Sequence, residues 1–249
     1  MSIKNRTITS MPKFYGKPAL HAQKLYKIAS LRAISAWAVA VLVIISINEM
    51  GGIKNFTEKG FKSFSITAML VVAVCAVHLA RKEHVNAHKA KAGVDAEYQV
   101  AKALKNSSAF AVVNGALLGK GGDADHIVLG PMAVLIETKH GKGEVSIQSS
   151  VVFAGRKKIP KDPISQVNRQ SAALSKRING KYVQAILCVT QMSNSPFRYN
   201  GVIICSSKDL AKVVNDSQNH GITKLEAENF AKIIHTQPVP YKKISSKKV

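Results

Sequence analysis

Two apolar segments near the N-terminus constrain this chain more than any other feature. AISAWAVAVLVIISI runs roughly from Ala33 to Ile47, and FSITAMLVVAVCAVHLA from Phe64 to Ala80, with the polar stretch Asn48 to Ser63 between them. Each is a little under the ~20 residues that cross ~30 Å of hydrocarbon. Arg32, Arg81 and Lys82 flank the segments and recover the missing length by snorkelling. A cleaved signal peptide does not fit, because about thirty residues precede the first segment and a second segment follows it. The pair is therefore expected to be a transmembrane hairpin over residues 33–80, the lipid bilayer being its partner. The alternative is a buried helical hairpin of a soluble domain. His78, near the end of the second segment, is expected at the interface.

Charge orients the hairpin. Residues 1–32 carry Lys4, Arg6, Lys13, Lys17, Lys24, Lys27 and Arg32 and no acid. The connecting stretch sets Lys54, Lys59 and Lys62 against Glu49 and Glu58, and Arg81, Lys82, Lys89 and Lys91 follow the second segment against Glu83. The positive-inside rule then puts both termini in the cytoplasm, in a multi-pass inner-membrane protein with a short external loop. Over the 249 residues, 36 lysines and arginines face 14 acids, a net charge of +22 that favours polyanions: nucleic acid or an anionic membrane face. Cys75, Cys188 and Cys205 are odd in number, far apart and set in apolar surroundings, which excludes a disulfide framework or a cysteine metal cluster and suits a reducing compartment.

The expected organisation is a basic cytoplasmic segment over 1–32, the hairpin over 33–80, a helical linker over 81–92 broken at Gly93, a soluble domain over 93–236 and a basic, mobile tail over 237–249. Within the domain, AEYQVAKALKN predicts a helix from about Val94 to Lys105. AFAVVNGALL, HIVLG, AVLIETK, GEVSI and VVFAG are short, rich in β-branched residues and separated by Gly or Pro, and read as a mostly antiparallel run of strands. Asp162-Pro163 opens a helix with an apolar stripe of Ile164, Val167, Ala172 and Leu174, stopped at Asn179-Gly180. YVQAILCVT and NGVIICS read as buried strands. Helices are expected over Lys208 to Val214 and Lys224 to His235, the latter with Leu225, Phe230 and Ile233 or Ile234 on one face. This order predicts an α/β fold with a mixed sheet.

Chemistry concentrates in GGDADHIVLGPMAVLIETKH, residues 121–140. Strand residues i and i+2 share a side, so Glu137 and Lys139 project together as their strand leaves the core. The turn through Gly130-Pro131 returns the preceding strand so that Asp125 lies beside Glu137. Two carboxylates and an amine at a sheet end suit a hard cation such as Mg²⁺, with Mn²⁺ as its substitute and phosphate oxygens completing the shell. Such a site polarises a phosphoryl group and activates water. Spacing alone more often marks a solvated Glu/Lys pair, and it is the four consecutive apolar residues Ala133 to Ile136 before Glu137 that favour a site. The basic segment GRKKIPK, with Arg156, Lys157, Lys158 and Lys161, is expected either to contact nucleic-acid phosphates or to be a solvated loop. GALLGK, residues 115–120, lacks the spacing and hydroxyl residue of a phosphate loop.

Several motifs in order resemble a known family. Gly93-x-x-Ala96-Glu97, Asp125-His126-Ile127-Val128, Ile136-Glu137-Thr138-Lys139 with Gly141 close behind, and Pro163-x-x-Gln166 are similar to the nuclease-related domain, NERD, assigned to the PD-(D/E)XK nuclease superfamily. The resemblance covers about residues 93–215, extending toward 236. It implies a restriction-endonuclease-like mixed sheet flanked by helices, here preceded by two transmembrane helices. It also implies that Asp125 and Glu137 hold the metal, that Lys139 serves the attacking water, and that Glu97 and Gln166 complete the site. Asp125 matches the motif and directly precedes the apolar strand, so Asp123 is assigned to a turn. His126 and His140 point away from the acidic positions and are not expected as ligands. The expectation is a membrane-anchored, Mg²⁺-dependent nuclease cutting DNA on the cytoplasmic side. The alternatives are an inactive DNA-binding module of the same fold or a membrane scaffold.

Overall fold

A computed structural model describes residues 11–49, 60–217 and 221–237. The chain divides into two compact units, one of residues 1–20 with 93–249 and one of residues 21–92. The connecting stretch at 50–59 and the basic tail beyond Gln237 lie outside the described residues.

The helical unit is formed from α1, Leu20–Glu49, and the greater part of α2, Gly60–Leu104. The first apolar segment lies within α1, in which the 25 residues Ala22–Ser46 are long and apolar enough to cross a membrane. At 1.5 Å per residue this stretch extends ~37 Å, so it does not depend on snorkelling. Among the described residues it is the one helix that meets that criterion of length and composition. The second apolar segment lies within α2. Every buried side chain described in this unit is an alanine: Ala29, Ala33 and Ala40 on α1, and Ala73, Ala76, Ala80 and Ala87 on α2. Leu31, Ile34, Trp37, Leu42 and Val74 are 48% to 68% exposed. Ser35 and Ser46 return their hydroxyls to the Leu31 and Leu42 carbonyls, at 3.0 and 2.9 Å. His78 is exposed.

Gly93 does not break the helix as expected, because α2 continues through it to Leu104. A glycine inside a helix costs only about 1 kcal/mol relative to alanine, which 45 residues of continuous hydrogen bonding absorb. The residues after Gly93 bury Ala96, Val100, Ala101 and Leu104 at helical spacing.

The second unit holds a seven-stranded mixed sheet. Its strands are β1 Lys13–Tyr15, β2 Ala111–Leu117, β3 Asp123–Leu129, β4 Ala133–Gly143, β8 Val183–Met192, β9 Phe197–Tyr199 and β10 Val202–Cys205, in the order β1-β2-β3-β4-β8-β10-β9. The meander β2-β3-β4 is antiparallel, as expected, while β1 with β2, β4 with β8 and β8 with β10 are parallel. β1 comes from the stretch read as a basic N-terminal segment, and it forms one sheet edge.

GEVSI and VVFAG do not join this sheet. They become β5 Val145–Gln148 and β6 Val151–Ala154, and with β7 Lys157–Lys158 they make a separate antiparallel sheet. Gly141 lets β6 approach β4, since a Cβ there would meet Val189 Cγ1 at 2.7 Å and Ala154 Cβ at 2.8 Å.

Each face of the main sheet packs on helices. On one side Ile127, Leu129, Leu135 and Leu187 meet α3 Pro163–Arg177 and α5 Lys224–Thr236. On the other, Val128, Val134, Ile136 and Ile186 meet Val100 and Leu104 of α2 and Leu210 and Val214 of α4 Leu210–Asp216. α3 begins where Asp162 accepts from the Ser165 N–H at 3.1 Å with Pro163 in the first turn, and it ends as Asn179 and Gly180 take φ of +58° and +74°. Gln170, not Ala172, fills the buried stripe, and its amide donates to the Asp123 carbonyl at 2.6 Å. On α5, Leu225 is 70% exposed, and Ala227, Phe230, Ala231 and Ile234 form the buried face. Cys188 and Cys205, in register on β8 and β10, are buried free thiols, and Cys75 is an exposed one.

Candidate active site

The β3-β4 hairpin sets His126 opposite Ile136 and Ile127 opposite Leu135, which brings Asp125 beside the Glu137-Thr138 peptide. Asp125 Oδ2 accepts from the Thr138 N–H at 2.7 Å. Strand alternation then puts Lys139 on the side of Glu137, and Lys139 Nζ meets Glu137 Oε1 at 2.5 Å. Pro163 and Asp162 fix the start of α3, which carries Gln166 over the same strand end. Gln166 Nε2 donates to Glu137 Oε1 at 2.7 Å, and its Oε1 accepts from Lys139 Nζ at 3.5 Å. One amide therefore grips both members of the Glu/Lys pair. Glu97 is on the final turns of α2, and its Oε2 accepts from the Ala19 N–H at 2.7 Å.

These contacts leave an excess of acid in a space with little water. Three carboxylates, Glu97, Asp125 and Glu137, face one ammonium, and Glu137 is 2% exposed. Burial, then the charges of Glu137 and Glu97, holds the Asp125 carboxyl well above the usual range, against the Thr138 N–H and Lys139. Burial, reinforced by Glu137, raises Glu97 to about 7, against the Ala19 N–H and Lys139. Glu137 Oε2 is buried with no hydrogen-bond partner. A buried carboxylate oxygen without a partner is costly, and a cation is the partner that removes both this deficit and the mutual repulsion.

The donor set therefore fits a hard dication held by Asp125 and Glu137, with water and substrate phosphate in the remaining positions. Among the described residues no group of three or more His, Cys, Asp or Glu is placed to hold an ion by itself. Two protein carboxylates are what an oxygen-ligated Mg²⁺ commonly takes from the protein.

All five expected acid, base and amide positions, Glu97, Asp125, Glu137, Lys139 and Gln166, converge in one unit of the chain. The four basic residues of GRKKIPK do not join the cluster. Arg156, Lys157, Lys158 and Lys161 are exposed on and after the small sheet, which Gly141 ties to β4 two residues beyond Lys139. Asp123 is an exposed residue at the start of β3 rather than part of a turn. His140 is exposed. His126 is buried, with Nδ1 2.8 Å from Asn114 Oδ1, and burial lowers its pKa to about 3, so it stays neutral. The Ala19 N–H and the Thr138 N–H are the groups that sequence reasoning missed, since a backbone amide leaves no residue-type signature.

A mixed sheet carrying carboxylates, a lysine and a glutamine at one strand end defines a nuclease-like α/β domain. Residues 92–190 match the Nuclease-related domain family, NERD. No curated protein and no solved structure matches the chain.

Proposed function

We propose that the protein is a membrane-anchored, Mg²⁺-dependent nuclease that hydrolyses DNA phosphodiester bonds on the cytoplasmic side of the inner membrane, with Mn²⁺ able to substitute. The observation that carries this reading is the buried, unpartnered Glu137 Oε2 beside Asp125 and the Lys139–Gln166 pair. Asp125 and Glu137 hold the ion. When bound, it supplies Lewis acidity to a phosphoryl oxygen and acidifies water.

Lys139, fixed by Glu137 and Gln166, orients the attacking water and balances the negative charge that grows on the phosphoryl oxygens. Gln166 keeps that ammonium in place. Glu97 completes the acidic wall. Water adds to phosphorus, the P–O bond to the leaving nucleotide breaks, and the proton passes to solvent or the leaving oxygen. Arg156, Lys157, Lys158 and Lys161 contribute sequence-independent phosphate contacts.

The apolar helix Ala22–Ser46 anchors the enzyme. The second apolar segment returns the chain, so that the basic N-terminal residues and the nuclease-related domain share the cytoplasmic side. The exposed leucines and isoleucines of α1 over a buried alanine face support a lipid environment.

The test uses the full chain in detergent micelles with single- and double-stranded DNA. Cleavage with Mg²⁺, none with chelator, and at least a ~10²-fold loss in Asp125→Ala and in Lys139→Ala are expected. Salt-sensitive DNA binding with no metal-dependent turnover overturns hydrolysis in favour of a binding module.

A further inference from the structure

Ala19 lies between β1 and α1 with a φ of +59° and 1% exposure. A left-handed alanine is strained, and such residues persist where the surroundings over-determine them. The surroundings here do so. β1 pairs in parallel with β2 from Lys13 opposite Ala111 to Tyr15 opposite Val113, and Lys13 Nζ reaches Glu228 at 2.9 Å. Gly16, at φ +73°, runs so close to the Asn114 carbonyl oxygen that a Cβ would lie 2.6 Å from it. Asn114 Nδ2 in turn donates to the Gly16 carbonyl at 3.4 Å.

The anchored segment delivers one donor. N–H groups at a helix start have no acceptor within the helix. That of Ala19 goes to Glu97 Oε2 at 2.7 Å, across 78 residues of sequence.

We propose that Ala19 is a positioning residue of the active site, its backbone N–H fixing the Glu97 carboxylate toward Asp125, Glu137 and Lys139. The strand that precedes the first apolar helix is then a working part of the site, and a fragment that begins after both apolar segments lacks it. This rests on the nuclease reading, with Glu97 in the catalytic wall.

The amide can be removed by itself, because replacing Ala19 with lactic acid exchanges its N–H for an ester oxygen and keeps the methyl group. In the full chain in micelles, the ester is expected to lower kcat about tenfold, the weight of one charge-assisted hydrogen bond, with KM unchanged. Added to Glu97→Ala it should cause no further loss. Ala19→Gly keeps the donor and takes a positive φ freely, so it should retain wild-type kcat.

A second readout does not need turnover. The Ala19 amide proton, observed in ¹⁵N-labelled protein, should resonate downfield and move upfield in Glu97→Ala. An amide proton indifferent to Glu97→Ala, or ester and Glu97→Ala losses that multiply, overturns the proposal. If the wild type cleaves no DNA, the nuclease reading falls, and the amide shift alone decides whether Ala19 holds Glu97.

Discussion

In the helical unit every buried side chain described is an alanine, and Leu31, Ile34, Trp37 and Leu42 point outward. In the sheet unit Leu129, Leu135, Ile136, Leu187 and Ile204 are fully inside, and lysines and arginines such as Lys142, Arg156 and Lys158 lie outside. On the proposed membrane-anchored reading, each arrangement suits its own solvent. Water drives large apolar side chains inward, as in the sheet unit. In lipid that drive is absent, so small residues allow close packing and large ones face the acyl chains. This contrast is what the proposed membrane anchor predicts: small residues packed between helices and large apolar ones facing outward.

The largest expected effect sharpens this contrast by truncating leucines in both units. Leu174, fully buried on the inner face of α3, should cost about 2–5 kcal/mol when replaced by alanine. Leu42→Ala, at a position 62% exposed, should leave stability in micelles nearly unchanged. Hydrogen exchange of β4 and β8 amides reads the first, and thermal unfolding of α1 reads the second. Equal losses would erase the distinction.

A somewhat smaller effect tests the solvent directly. Ile34 lies at the middle of the Ala22–Ser46 helix and is 65% exposed. Ile34→Asp should disfavour insertion by roughly 3 kcal/mol and shift the protein out of the membrane fraction. An ordinary surface helix in water would instead become more soluble with its fractionation unchanged.

The smallest effect concerns the acidic cluster. Glu97 is raised from 4.5 to about 7, so the folded chain holds its proton more tightly than the unfolded chain does. Between those values the folded state binds the extra proton, and stability from this group is present below about pH 4.5 and lost as pH rises through about 7. Glu97→Gln should therefore gain on wild type over that window, by on the order of 2 kcal/mol at pH 8 in metal-free buffer. Thermal unfolding of both proteins at pH 4.5, 6 and 8 checks the sign, and a gain that shrinks with rising pH contradicts it.

Much of the fold could be read locally. The β-branched runs gave the hairpin of Asp125 and Glu137, and Asp162-Pro163 with Asn179-Gly180 bounded the helix of Gln166. The period of two put Lys139 on the side of Glu137, where its ammonium is 2.5 Å away. Other features depend on partners distant in sequence. Lys13–Tyr15 is three residues long and becomes a strand through a parallel neighbour nearly a hundred positions away, so no local pattern could reveal it. GEVSI and VVFAG carry the same β signal whether they extend the main sheet or form their own, and the Gly141 contact accompanies the second outcome. Gly93 has the residue type of a helix breaker, yet a single glycine is a small penalty in a helix this long. The strained Ala19 and its donor to Glu97 are backbone geometry, which residue type does not encode.

The central claim is that Asp125 and the unpartnered oxygen of Glu137 are built to hold a dication. Titrating Mn²⁺ into the full-length protein in micelles at pH 8, without DNA, measures this directly, with Glu137→Gln as the isosteric control. The account predicts a saturable Mn²⁺ site in the wild type, competed by Mg²⁺, weakened as pH falls below about 7, where Glu97 takes up its proton, and abolished in Glu137→Gln. Equal Mn²⁺ binding by wild type and Glu137→Gln, or none by either, would contradict it.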